Sequence, residues 1–369
     1  MKVLVVNVSM KPGGAERQLI NIITELVRKG IVVSVILFQK EGRYLDKLKD
    51  LGVEVCVFPE KTCKGQRLLD VIRKSRWLIK KVKKDGITTL VSFLPACNIL
   101  CELVKLRLKK KINVLTGARS LDSVFIGNAS YKLHYFFYSL SDYVISNSFL
   151  TKKEILSVNR IINPDKIKVI YNYLIVDNSY LGTNPNLSDR RRIIVAANYG
   201  EIKNIINVIE AFNLLDEHYR KMLDLKWYGV IHKDLESNTY PRAKKMVEEY
   251  NLKECITLCD STSDIYSVMQ ESDIVALFSK AEGFPNSIAE GMLIGRPVIT
   301  TPVSDLPELL KNTDNIICKD YQAVSIKEAL ITLCEMDRER LISCGENNSK
   351  IAKDLFGIAN INQIIELIK

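Results

Sequence analysis

Short runs of consecutive apolar residues alternate with stretches of helical periodicity along nearly the whole chain. Residues 2–8, KVLVVNV, read as a strand buried on both faces. A glycine loop, KPGGAE, follows. Then RQLINIITELVRKG carries an amphipathic pattern that stops at Gly30, as a helix C-terminus does. Residues 31–38, 53–57, 87–92, 112–116 and 142–146 continue the strand series, with helical segments between them. The alternation pauses over 172–191, a stretch rich in Asn, Ser, Asp, Gly and Pro. It restarts with RIIVAANYG and continues through DLKWYG, CITL, DIVALF and PVIT, while 320–369 is helical without strands.

Repeated βα units predict parallel, doubly wound sheets, so the fold class is α/β with two Rossmann-like domains. The expected boundaries are 1–175 for the first domain, 176–191 for a linker and 192–350 for the second. Residues 351–369 are expected to form a C-terminal helix that crosses back to the first domain. Ligands of such sheets lie at the carboxyl ends of the strands. Two such halves are expected to face each other across a cleft.

Composition narrows the class. An apolar fraction of 47% and a charged fraction of 26% exclude a disordered chain. No apolar run approaches the ~18 residues of a spanning helix, and MKVLVVNVSM has no signal-peptide shape. A cytoplasmic protein is expected. Nine cysteines and three histidines show no metal-ligand spacing, so reduced thiols and no metal site are expected. His134 reads as a core residue. The net charge of +10 is uneven: residues 1–180 hold 31 basic and 15 acidic residues, and the remainder 22 and 28. One half is therefore suited to an anionic surface.

The segment most specific for chemistry is SKAEGFPNSIAEGMLIGRPVITTPVSDLPE, residues 279–308. Glu282 lies in a loop directly after the run DIVALF, and Glu290 lies one turn into the helix that follows. Asn286 or Ser287 is expected to cap that helix. Its N-terminal N–H groups suit a diphosphate or sugar hydroxyls, and Gly283 allows a close backbone approach. No D-x-D is present to hold a divalent cation. Lys203 and the helix N-terminus are then the groups available to stabilise a leaving diphosphate.

The chain resembles the retaining glycosyltransferases of family 4, which have the two-domain B-type fold. Besides the E-x7-E segment, the resemblance rests on PGGAE at 12–16, ISNS at 145–148 followed by TKKEI, and VIYN at 169–172. It also rests on Lys203-Asn204 and on GRPVITTPVSDLPEL. SFLPACN at 92–98 and GARS at 117–120 are similar to a subset with an arginine in the first domain.

The resemblance implies a nucleoside-diphosphate sugar as donor substrate and no cofactor. Glu282 would lie against the transferred sugar. Gly283, Phe284, Pro285, Asn286 and Ser287 would line the donor, their backbone N–H groups serving sugar and phosphates. Glu290 would hold the ribose, and Lys203 would neutralise the diphosphate. Gly13 and Gly14 would approach the phosphates or the acceptor. Asn198 stands where the family commonly has a second diphosphate-binding arginine. Arg119 and Asp122 are placed on the acceptor side.

Residues 61–84 hold ten basic residues and one acidic one, with Leu68, Ile72, Ile79 and Val82 able to share a helical face near Trp77. A basic amphipathic helix carrying a tryptophan reads as a surface for anionic membranes. No nucleic-acid-binding pattern is present, so no such partner is expected. The function expected is a metal-independent glycosyltransferase acting on a lipid-linked or polysaccharide acceptor, peripheral on the inner face of the membrane. The alternatives are a nucleotide-sugar epimerase of the same fold and a catalytically weak partner subunit.

Overall fold

The structure, a computed structural model, describes residues 1–11, 13–59, 67–120, 130–182, 190–231 and 239–369. The chain forms two compact units. Unit 1 comprises Met1–Tyr173 and Ile358–Lys369, and unit 2 comprises Leu174–Gly357.

Unit 1 is built on a seven-stranded sheet of order β3-β2-β1-β4-β5-β6-β7. The strands are β1 (Lys2–Asn7), β2 (Val32–Leu37), β3 (Glu54–Val57), β4 (Thr89–Ser92), β5 (Asn113–Ala118), β6 (Tyr143–Ser146) and β7 (Ile167–Val169). Every neighbouring pair is parallel, Val3 lying opposite Val33 and Thr89. The run VLVV of β1 is apolar at every position because both faces are covered. Val3 and Val5 point into one core with the helices Gly14–Arg28 and Ala359–Ile368. Leu4 and Val6 point into the other with the helices Arg67–Asp85 and Pro95–Leu108. The returning C-terminal helix is tied to the sheet by its carbonyls: Thr89 donates to Ile368 at 3.1 Å and Asn113 to Leu367 at 3.0 Å.

Unit 2 repeats the plan with six strands in the order β10-β9-β8-β11-β12-β13. They are β8 (Arg191–Ala196), β9 (Leu223–Tyr228), β10 (Ile256–Cys259), β11 (Ile274–Leu277), β12 (Val298–Thr300) and β13 (Ile316–Ile317). All pairs are again parallel. In each unit the strand order reverses beside the first strand, between β1 and β4 and between β8 and β11. The fold class expected from the βα alternation is the one observed.

The short edge strands β7 and β13 were not expected. β5 also runs to Ala118, beyond the expected end at 116, which sets Arg119 directly at its carboxyl end. No helix among the described residues is long and apolar enough to cross a membrane.

The basic helix differs from expectation in which side it buries. Leu78 and Val82 are buried, whereas Ile72 is exposed. Trp77 is turned inward, its ring 5.1 Å from Phe58 and packed on the core of unit 1. Residues 61–66 lie outside the described residues, as does the side chain of Leu68.

Candidate active site

A doubly wound sheet leaves a crevice where its strand order reverses, because the loops after the two central strands turn to opposite faces. In unit 2 these loops follow β8 and β11, and they carry Lys203 and Glu282. Lys203 closes a single 3-10 turn, Glu201–Lys203, ahead of the helix Ile205–Leu214. It therefore precedes that helix rather than lying in its first turn, where a cation would oppose the dipole. Asn204 adopts a left-handed conformation at φ 69°, and its side-chain amide donates to the Tyr321 carbonyl at 2.8 Å. That anchor fixes the residue next to the lysine.

Glu282 is 9% exposed. One oxygen, Oε1, accepts from Lys203 Nζ at 2.5 Å and from Ser279 Oγ at 2.6 Å. The ion pair is partly screened from water, with the two side chains 24% and 11% exposed. Both are charge-assisted contacts that hold the carboxylate in one place. The loop itself is stitched down on two sides. Lys280 N–H donates to the Ile202 carbonyl at 2.8 Å, linking the two loops. Thr301 and Ser304, beyond β12, donate to the carbonyls of Ser279 and Gly283, each at 2.6 Å.

The helix Asn286–Ile294 follows. Asn286 is its first residue and Pro285 its N-cap, and no side chain caps it. The expectation that Asn286 or Ser287 caps this helix is thus corrected. Pro285 offers no side-chain acceptor, and Asn286 and Ser287 are already helical, so the first-turn N–H groups receive no side-chain cap. Gly283, Phe284 and Pro285 are buried, and Asn286 and Ser287 are half-buried. The Phe284 ring is packed against that of Phe356, with centroids 5.4 Å apart. Glu290 is buried one turn into the helix, and Tyr266 donates to it at 3.3 Å. Gly291 sets that depth, since a Cβ there would lie 2.7 Å from Cβ of Val275 on β11.

The other expected residues are distributed as follows. Asn198 is exposed in the loop after β8, its Oδ1 accepting from Gly200 N–H at 3.3 Å. Gly13 and Gly14 open the helix Gly14–Arg28 of unit 1. Arg119 lies at the end of β5 in unit 1. Asp122 lies outside the described residues. His134 is buried, its ring 4.6 Å from that of Tyr138. Among the described residues no three His, Cys, Asp or Glu side chains come together to hold a metal ion, and the described cysteines are free. Sequence reading assigned no role to Ser279, Thr301, Ser304 or Tyr266. Ser279 alone had a local signal, as the polar residue that ends an apolar run.

Two parallel, doubly wound units with a fixed carboxylate–lysine pair at a switch point define a B-type glycosyltransferase fold. Two family models tile the chain: Glycosyltransferase Family 4 over residues 12–177 and Glycosyl transferases group 1 over residues 183–350. The chain belongs to the family 4 glycosyltransferases. The Vi polysaccharide biosynthesis protein VipC/TviE of Salmonella typhi is 31% identical over 88 residues, 24% of this chain. N-acetyl-alpha-D-glucosaminyl L-malate synthase of Bacillus anthracis is 21% identical over 262 residues, 67% of this chain. The matches span 15% and 65% of the lengths of these two relatives. The crystal structure of Anabaena HepE with UDP and glucose superposes with a TM-score of 0.82 at 19% identity, over 99% of this chain and 98% of that one.

Proposed function

We propose that this protein is a retaining, metal-independent glycosyltransferase that moves a sugar from a nucleoside-diphosphate sugar to a lipid-linked or polysaccharide acceptor in cell-surface glycan synthesis. The observation that carries the reading is the Glu282 carboxylate, held by Lys203 and Ser279 where the strand order of unit 2 reverses. The donor class is supported by HepE, which has been solved with UDP and with UDP-glucose. The acceptor class is supported by the polysaccharide role of the Salmonella relative.

In transfer, the bond between the sugar carbon and the diphosphate oxygen breaks and a bond to an acceptor hydroxyl oxygen forms. Negative charge collects on the departing diphosphate, which takes up the hydroxyl proton directly or through water. Lys203 and the N-terminal turn of the helix Asn286–Ile294 stabilise that charge. Glu282 orients the sugar and stabilises positive charge on its ring. Glu290 holds the ribose. Gly283, Phe284 and Pro285 contribute backbone. A surface of the basic segment 61–84 meets an anionic membrane on its cytoplasmic side. Asn198, in place of a second diphosphate-binding cation, favours one other reading: a partner subunit that binds donor and turns it over weakly.

The test is a screen of nucleoside diphosphates and nucleotide sugars by melting temperature, followed by donor hydrolysis with and without EDTA. A ligand at 100 times its Kd stabilises by about 2.7 kcal/mol. The expected outcome is one nucleotide family that raises Tm and a donor that is hydrolysed in EDTA. Binding without hydrolysis selects the partner-subunit reading. Activity lost in EDTA and restored by Mg2+ overturns metal independence, and no shift with any nucleotide overturns the donor reading.

A further inference from the structure

Unit 1 holds a guanidinium that the described residues leave half used. Arg119 stands at the carboxyl end of β5, and the loops after β4, β6 and β7, its near neighbours in the sheet, each touch it. After β4, the Phe93 ring lies under the guanidinium, 4.0 Å from its central carbon. Gly117 makes room for that ring, since a Cβ there would lie 2.4 Å from it. After β7, Asn172 Oδ1 accepts from Nη1 at 2.8 Å. After β6, Asn147 Nδ2 donates to the Arg119 carbonyl at 3.1 Å. The plane of the side chain is thereby fixed.

The remaining edge, Nε and Nη2, is shielded from water and has no hydrogen-bond partner among the described residues, although the residue as a whole keeps some surface. Asn147 Oδ1, carried by the amide that contacts Arg119, is also buried and without a partner among the described residues. A buried donor edge and a buried acceptor left unmatched each cost stability, so folds normally satisfy them. Burial also holds the Arg119 pKa down, to about 9. The same edge is used elsewhere in this chain. Arg192 grips the Asp273 carboxylate with Nε at 3.2 Å and Nη2 at 2.7 Å. Arg119 presents that fork with no carboxylate of the described residues in it. Planar, paired N–H groups match the two oxygens of a carboxylate or phosphate.

We propose that unit 1 carries an oxyanion site, in which the Nε–Nη2 edge of Arg119 grips a phosphate or carboxylate on the acceptor while Asn147 Oδ1 accepts from a hydroxyl of the same molecule. The word acceptor rests on the glycosyltransferase reading; the oxyanion site itself does not.

The full chain is titrated with glycerol 1-phosphate, glycerate and glycerol, first alone and then saturated with UDP. One of the two anions is expected to bind at least tenfold more tightly than glycerol, and which one binds tells phosphate from carboxylate. Arg119→Lys keeps the charge but loses the fork, and is expected to weaken that anion at least tenfold while UDP affinity stays within twofold. Arg119→Met is expected to abolish anion binding without lowering Tm, because it removes an unmatched buried charge.

Neither anion binding to the wild-type chain overturns the proposal. So does anion affinity that ignores both substitutions, or a lower Tm for Arg119→Met with anion affinity unchanged, which marks a structural arginine. If Arg119→Lys weakens UDP and spares the anions, the fork serves the donor diphosphate and the proposal fails. A chain that ignores UDP but binds an anion through Arg119 fails the donor reading alone.

Discussion

Glu282 and Glu290 share one segment but meet different partners, and this separates their expected roles. Glu282 is gripped by a lysine and a serine in a loop; Glu290 is buried on a helix under a tyrosine hydroxyl. Charge on the sugar ring exists only near the transition state, so Glu282→Gln is expected to lower kcat by roughly 10²–10³ with little change in donor Kd. In the proposed role Glu290 would hold ribose in ground and transition state alike, so Glu290→Gln is expected chiefly to raise the donor KM. Steady-state kinetics with direct donor binding decide this, and the opposite pattern reverses the two roles.

A third carboxyl belongs to the fold alone. Glu102 is fully buried on the helix Pro95–Leu108, with Ser141 donating to one oxygen at 3.1 Å and the other oxygen unmatched among the described residues. Burial pushes its pKa up to about 8 from 4.5. The unfolded chain loses this proton near pH 4.5 while the native state keeps it, so stability falls as pH rises between the two values. The loss is on the order of 3 kcal/mol by pH 7. Glu102→Gln is expected to flatten that slope and raise stability at neutral pH, as read by urea unfolding from pH 5 to 8. A steeper slope in the variant would contradict it. The candidate carboxylates were legible because E-x7-E sits on a strand–loop–helix boundary. The 2.5 Å pairing of Glu282 with Lys203 was not, because the partners lie far apart in sequence and meet only through the order of the strands.

At the scale of elements, the long central strands announced themselves as unbroken apolar runs because helices cover both faces. β7 and β13, with three and two residues, are too short to carry any period. The basic helix was legible as a helix, but its inward face was misjudged by one flank: Ser75, Leu78 and Val82 are buried and Trp77 packs on Phe58. Its tryptophan is therefore occupied by the core, and any attraction to a membrane falls to charge. Lys81 pairs with Asp85 at 2.7 Å and Lys74 with Asp70 at 2.7 Å, whereas Arg76, Lys80, Lys83 and Lys84 are exposed. Reversing Lys80, Lys83 and Lys84 to Glu is expected to abolish retention on anionic vesicles at low salt while leaving Tm nearly unchanged. Co-sedimentation that survives the reversal, or that ignores salt, rejects this surface.

At the scale of the molecule, unit 1 is made of two stretches of chain separated by the whole of unit 2. Ile361, Ile364, Ile365 and Ile368 of the returning helix belong to the core shared with the helix Gly14–Arg28. Burying four such side chains stabilises by roughly 6–12 kcal/mol, comparable to the whole stability of an ordinary domain. A chain ended at Gly357 is therefore expected to lose the protection of unit 1 against limited proteolysis while the unit 2 fragment persists. Equal protease resistance of both units would refute this.

The same return has a consequence during synthesis. The first strands of unit 1 leave the ribosome early, but the helix that closes their core must wait for residues 174–357 to be translated. At ordinary elongation rates that wait lasts on the order of 10–40 s. Throughout it, one face of the sheet around Val3, Val5 and Leu115 lacks its last cover. The unit that is made first is thus completed last, and the nascent chain presents a greasy, unfinished surface to chaperones for about half of its synthesis.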